Sequence, residues 1–378
     1  MSKLLKLAAL AGASTLVLAG CAANEAEVAP TATSTASSNT TEETVAPLEG
    51  TLDGSGASSM AAGQEAWVAA FQTANPGVTV NYNPTGSGTG RDQFEQGLTF
   101  FTGSDSSFKD EELATPHPNC SPADGPVFEF PVWISPIAII FNLDGIDTLN
   151  MGPDTIAKIF TGEITMWNDA AIAGANPGVA LPELAITAVH RSDESGTTGN
   201  FTDWLAKAAP NAWVLNGENV GSIEAWPAEF GGEGAQGTSG VVSAVQGGTG
   251  TIGYADASRA GSLGTVAVGV GNAFVPFSPE AAAKIVDVSP VKPGRPDTTV
   301  AFDLARDTTE AGVYPVVLVS YLQGCMDYAD DAKAELVKAY ASFLVSEEGQ
   351  NVAAAAAGNA PISQATREIA QAIIDQIK

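Results

Sequence analysis

From Thr51 onward, apolar residues recur along this chain with two different spacings. Short runs rich in β-branched and aromatic residues fall at 78–82, 133–142, 185–190 and 314–321, and each predicts a strand. Between them the apolar residues stand three and four apart. Trp67, Val68 and Phe71 share one helical face, as do Ile156, Ile159 and Phe160, and again Phe201, Trp204 and Leu205. The stretch 332–345 is rich in alanine and leucine and predicts a further helix. Alternation of strands with helices indicates an α/β architecture. No internal repeat is visible.

The first fifty residues follow a different pattern. Lys3 and Lys6 precede an apolar stretch at 7–18, too short to span a bilayer, and Leu18, Ala19 and Gly20 lead into Cys21. This arrangement predicts a signal peptide at 1–20. Small residues before a cysteine resemble the lipobox of bacterial lipoproteins, which implies cleavage before Cys21 and lipid on its sulfur. Residues 21–49 then read as the lipidated cysteine and a disordered linker. The stretch 22–48 has no aromatic residue, lysine or arginine, and cannot bury enough apolar surface to fold alone. Fully extended at ~3.4 Å per residue, it reaches about 90 Å, enough to hold a domain clear of a membrane. The lipid anchor is the expected membrane contact, since no later segment is long and apolar enough to span.

The chain has 378 residues, more than one core usually serves, so two domains are expected. Lys and Arg number 16 against 43 Asp and Glu, a net charge of -27. Such a surface repels nucleic acid and anionic lipid. It also repels a free anion at long range, so an anion site here must work through short-range hydrogen bonds and a local cation. Of three cysteines, Cys120 and Cys325 remain once Cys21 carries lipid. In an exported protein the leftover pair favours a disulfide, with two buried thiols as the other reading. With only two histidines and no close Cys or His spacing, no metal site and no cofactor is expected.

Three loops share one design: a strand, a run of glycine and hydroxyl residues, then a helix. They are 54–59 (GSGASS), 86–90 (GSGTG) and 192–198 (SDESGTT). A helix N-terminus presents unpaired N–H groups and partial positive charge, hydroxyls there can turn to an anion, and glycine lets backbone approach closely. Any one such loop reads more simply as ordinary caps and turns; three together, one directly after an arginine, point to a convergent anion site. None is a nucleotide P-loop, because none carries the required lysine. Arg191, one of six arginines, directly precedes the third loop. A guanidinium can bind an oxyanion through two parallel hydrogen bonds, or pair with Asp193. Along a strand His190 then faces away from it. Asp105 reads either as a turn cap or as the acceptor for a proton carried by the ligand. Hydrogen phosphate has that proton and sulfate does not, so an aspartate in the site would reject sulfate.

These residues carry a family resemblance. The segment 189–198 (VHRSDESGTT) closely resembles the anion-binding signature of Pst-type periplasmic phosphate-binding proteins. Residues 54–59, 86–90 and 103–106 look like that family's other binding loops, and 156–169 and 250–254 also agree, in the family's order across 52–350. The resemblance implies phosphate contacts from Ser58, Ser59, Ser87, Asp105, Arg191, Ser195, Gly196 and Thr197. Two departures stand out. The family has Thr-Phe where this chain has Ser58-Ser59, and 109–126 is a Pro- and Cys-containing insertion to which no element is assigned. The implied fold is of the periplasmic-binding-protein type II class, two α/β domains with a ligand cleft and two crossover hinge strands. The expected first domain is 50–135 plus 308–378 and the second 136–307, which puts Cys120 and Cys325 together.

The implied function is that of an extracytoplasmic lipoprotein that captures inorganic phosphate and delivers it to the permease subunits of an ABC importer, at the outer face of the cell membrane. A phosphatase using Ser195 as nucleophile is the rival from another class, but no general base is evident beside Ser195, so no enzyme is expected. A surface adhesin would make the three loops coincidental, and a molybdate or sulfate binder is the nearest relative reading.

Overall fold

The structure is a computed structural model that describes residues 47–378; the signal-peptide expectation and Cys21 lie outside the described residues. Along the chain come strand β1 (Gly50–Gly56), helix α1 (Ala61–Ala74), β2 (Val78–Asn83), α2 (Ser87–Glu95), β3 (Phe101–Ser104), the short α3 (Asp110–Leu113) and the long β4 (Val127–Phe141). Then follow β5 (Thr148–Met151), α4 (Pro153–Phe160), α5 (Ala170–Ala175), β6 (Thr187–Arg191), α6 (Gly196–Ala208) and a small hairpin of β7 (Val214–Leu215) and β8 (Glu218–Asn219). Next are β9 (Glu233–Ala235), α7 (Gly237–Gly247), β10 (Thr251–Asp256), β11 (Gly264–Val270), β12 (Ala273–Val275) and α8 (Pro279–Asp287). The chain closes with β13 (Val317–Cys325), α9 (Asp331–Val345), α10 (Glu347–Ala357) and α11 (Gln364–Ile374).

Helices form where apolar residues recur on one face, and several of them start at a capping residue. Trp67 and Phe71 of α1, Ile156, Ile159 and Phe160 of α4, and Phe201, Trp204 and Leu205 of α6 are all buried. Ser195, Ser278, Asp330, Ser346 and Ser363 cap helices with side-chain oxygens that accept backbone N–H groups. Burial of these stripes, at ~25 cal/mol per Å² of apolar surface, holds the helices on the sheet.

An 11-stranded sheet runs in the order β2-β1-β3-β13-β4-β10-β6-β9, with β11, β12 and β5 attached beside β4. β1 lies parallel to β2 and β3, while β13 runs antiparallel to both β3 and β4. The division of the sheet falls within one strand. The first part of β4, Val127 to Pro136, pairs with β13, and the second, Ile137 to Phe141, pairs with β10. All 15 residues of β4 are buried, so it serves two half-sheets at once. The return connection, 288–316, runs back past β4, where the N–H of Val300 donates to the carbonyl of Glu129 at 2.7 Å.

Two strands begin three or more residues from their predicted starts. β4 begins six residues before the expected 133, although Pro131 and Pro136 interrupt the run. Pro131 sits where the ladder with β13 slips register between Ser320 and Tyr321, a bulge that needs no N–H from proline. β13 begins at Val317 rather than Tyr314, because Pro315 has no N–H and its carbonyl accepts from Arg306 at 3.0 Å instead.

Residues 109–126, without an assigned element in the sequence, hold α3 and are pinned to the end of β13. Cys120 and Cys325 form a disulfide with their Cα atoms 5.3 Å apart, joining positions 205 residues distant.

Candidate anion-binding site

The three glycine–hydroxyl loops do lie between a strand and a helix: β1 to α1, β2 to α2, and β6 to α6. The first two belong to one half-sheet and the third to the other, and they converge. Gly86 holds the left-handed φ of 106°, and a Cβ there would come within 2.5 Å of Asp193 Oδ2 and 3.6 Å of Arg191 Nη2. A Cβ on Gly196 would come within 2.6 Å of Ser87 Oγ and 2.7 Å of Asp105 Cβ. Glycine at these positions is what lets the two halves meet this closely.

Asp105 lies at the end of β3, 3% exposed. Its carboxylate accepts from Ser59 Oγ at 2.7 and 2.8 Å, from Ser320 Oγ at 2.7 Å and from Thr197 Oγ1 at 3.2 Å. Its own N–H donates to Ser87 Oγ at 3.0 Å, and its carbonyl accepts from the Asn200 amide at 2.6 Å. Burial pushes the carboxyl above its ordinary range, while these hydroxyls and the charge of Arg191 pull the other way without overcoming burial. The turn-capping alternative for Asp105 is therefore not what its carboxylate does.

Arg191 ends β6 and is 2% exposed. Its Nε donates to Asp193 Oδ1 at 2.7 Å and its Nη2 donates to Asp193 Oδ2. Burial pushes Asp193 up, but the hydrogen bond and charge of Arg191 outweigh it and leave Asp193 below the usual carboxylate range. The salt bridge and the anion-site reading are thus compatible, because Asp193 fixes the guanidinium plane. His190 faces the other way, stacked on Trp226 with ring centroids 4.9 Å apart. Ser195 caps α6: its Oγ accepts from the Thr198 N–H at 3.2 Å.

Ser58 lies a short way off, held by residues the sequence reading passed over. Its Oγ lies 3.1 Å from Thr238 Oγ1 and accepts from the Thr238 N–H at 3.0 Å. The neighbouring Gly237 N–H donates to Asp193 Oδ1 at 3.0 Å. The segment 237–240 (GTSG) follows β9 and opens α7, so it is a fourth loop of the same design. The criterion applied to the other three would have found it. Ser320 is the second omission; its signal was one hydroxyl within the apolar run 314–321.

Asp105 thus gathers Ser59, Ser87 and Thr197 between the half-sheets, with Gly196 against Ser87 and Asp105 and with Arg191 near Gly86, while Ser58 joins through Thr238 and Ser195 caps α6. Donors from several N-termini can bind a tetrahedral oxyanion, and Asp105 can accept a hydrogen bond from its proton. Among the described residues no cluster of His, Cys, Asp and Glu suited to a metal ion occurs.

A family model for the PBP superfamily domain matches residues 35–348. Phosphate-binding protein PstS 3 of Mycobacterium leprae is 36% identical over 310 residues, covering 80% of each chain. Phosphate-binding protein PstS 3 of Mycobacterium tuberculosis is 33% identical over 294 residues, covering 77% of each. The chain belongs to the PstS family of phosphate-binding proteins. This is a family of extracytoplasmic, substrate-binding transport proteins rather than enzymes. Among solved structures, a high-affinity periplasmic phosphate-binding protein, PfluDING, bound with phosphate, has a TM-score of 0.66 at 21% identity, covering 85% of this chain and 93% of its own. The phosphate-binding protein from Stenotrophomonas maltophilia has a TM-score of 0.64 at 19% identity, covering 86% and 94%. At these identities the likeness is one of fold, and it agrees with the periplasmic-binding-protein architecture expected from the sequence.

Proposed function

We propose that this protein captures inorganic phosphate between its two half-sheets and delivers it to the permease subunits of an ABC importer. The observation that carries this reading is the convergence of Arg191 and Asp105 on the glycine–hydroxyl loops of both halves. Ser58, Ser59, Ser87, Ser195, Gly196 and Thr197 supply hydroxyl and backbone donors, and Arg191 supplies the charge. Asp105 accepts the hydrogen bond that the protonated ligand donates. The half-sheets act as two lobes, roughly 50–135 with 308–378 and 136–307, that close on the anion through β4 and the return connection. The membership in the PstS family supports the same ligand, since its relatives are phosphate-binding proteins. Calorimetry of the purified protein with phosphate, arsenate, sulfate and molybdate tests this: phosphate is expected to bind tightest. Tighter binding of sulfate or molybdate would assign a different anion.

The protein works at the outer face of the cell membrane, anchored by lipid on Cys21 after removal of residues 1–20. Cys21→Ala is expected to release it from the membrane fraction. A variant that still sediments with membranes removes the anchor from this reading.

A further inference from the structure

Arg91 lies on α2, in the half-sheet that supplies Ser87, and only 1% of it is exposed. Within its own half, its Nε donates to Glu112 Oε1 at 2.8 Å and its Nη1 to Ser104 Oγ at 2.8 Å. Toward the other half, its Nη2 donates to Glu224 Oε2 at 2.6 Å and its Nη1 reaches Glu224 Oε1 at 3.4 Å. Burial pushes Glu224 up, yet the charge and hydrogen bonds of Arg91 outweigh it and hold the carboxyl below its ordinary range. Lys109 adds an exposed fringe, its Nζ 3.5 Å from Glu194 and 3.7 Å from Glu224.

The two ends of this contact touch the anion site from outside. Ser104 immediately precedes Asp105, and the Glu224 carbonyl accepts the Ser195 N–H at 3.1 Å. Glu112 comes from 109–126, the insertion that the disulfide pins to β13. Arg91 donates to none of the eight expected contact residues, so it is not assigned to reading the ligand. It joins the two lobes beside the ligand.

We propose, on the phosphate-binding reading above, that Arg91 and Glu224 form an interlobe latch that sets how long bound phosphate is held. Glu112 and Ser104 keep Arg91 oriented whether the lobes are apart or together. On closure Glu224 becomes its second carboxylate partner. A buried, fork-shaped guanidinium–carboxylate pair acts chiefly on dissociation, because encounter precedes its formation. Arg91 and Glu224 are positioning residues, and Lys109 contributes little, since exposed ion pairs are weak.

The test is stopped-flow phosphate binding by the whole protein, wild type against Glu224→Gln, Arg91→Lys and Lys109→Ala, with melting temperature measured alongside. Glu224→Gln is expected to raise the dissociation rate by at least about tenfold and to change the association rate by less than about threefold. Arg91→Lys, which keeps the charge but loses the fork, should show the same direction with a smaller effect, and Lys109→Ala should stay within about twofold. A folded Glu224→Gln with a wild-type dissociation rate would overturn the latch and leave phosphate binding standing. So would an effect confined to association, which belongs to a site residue. If Glu224→Gln does not fold, Arg91→Lys decides by the same criterion. A wild type that binds no phosphate overturns both the binding reading and the latch.

Discussion

Two of the arginines buried between the half-sheets are oriented by the same device and used differently. Arg191 is oriented by Asp193 of its own half, and Arg91 by Glu112 of its own half. Each then presents remaining donors to the opposite half. Arg91 meets a protein carboxylate there, Glu224, whereas Arg191 approaches Gly86 and the donor-lined site. The protein completes one cross-lobe pair itself; on the proposed function, the other is left for an anion to complete. The closed state is then reinforced by a fixed ion pair but made dependent on ligand by the second. The acids follow the same division. Glu224 has its arginine, while the carboxylate of Asp105 is held by hydroxyls and has no cation bonded to it among the described residues.

If Arg191 is the ligand's cation, Arg191→Ala should abolish most binding. Removing one partner of a buried charged pair costs about 3–5 kcal/mol, so calorimetry should find phosphate weakened by at least about a hundredfold. Binding within a few-fold of wild type would make Arg191 a purely structural partner of Asp193 and end the comparison.

The acid pole should control which anion fits. Wild type is expected to prefer phosphate to sulfate by at least about a thousandfold, ~4 kcal/mol, because sulfate has no proton for Asp105. Asp105→Asn should narrow the gap mainly by admitting sulfate, with phosphate affinity falling less. Competitive titration of both anions checks this, and wild-type sulfate binding within tenfold of phosphate would remove Asp105 from the role.

A pH series sharpens the same point. Burial raises the Asp105 pKa above its ordinary value, so the carboxylate gains a proton as pH falls toward that raised value. Its charge, and the barrier to sulfate, are then lost together. Sulfate affinity of wild type should rise as pH falls, and that of Asp105→Asn should stay flat by comparison. Parallel curves for the two proteins would mean that another group governs the selectivity.

The smallest effect is expected at a third buried carboxylate, outside the site. Asp256 is fully buried at the end of β10, where its Oδ1 accepts the Ser258 N–H at 3.0 Å and its Oδ2 has no partner among the described residues. Burial pushes its pKa up to about 6. The folded state then binds more protons than the unfolded state between the ordinary value near ~3.9 and about 6. Stability should fall as pH rises through that window, and the whole cost is present above it. Asp256→Asn should therefore raise the melting temperature at pH 8, by an amount worth up to ~3 kcal/mol, and change it little at pH 4. A variant less stable than wild type at pH 8 would assign Asp256 a favourable ionic role.

Much of this site was legible in the chain itself. Local periodicity and capping chemistry act over a few residues, so the helices at α1, α4, α6 and α9 and three of the four glycine–hydroxyl loops could be read directly. Arg191 and Asp105 could be read because each interrupts a local pattern with a charge that the loop chemistry explains. What the sequence could not supply is what depends on contacts between distant positions. Ser320 reaches Asp105 across 215 residues, and Glu224 reaches Arg91 across 133. Neither residue has a local signature, since a serine in a strand and a glutamate in a loop are ordinary there. The extent of β4 was hidden for a related reason. Prolines that argue against a strand locally are tolerated because β4 itself bulges at Val132, beside one of them. The sequence by itself determined the elements and the donors offered at their ends. Only the tertiary structure decided which carboxylate each buried arginine would meet, because a charge taken out of water must find its partner through space and not along the chain.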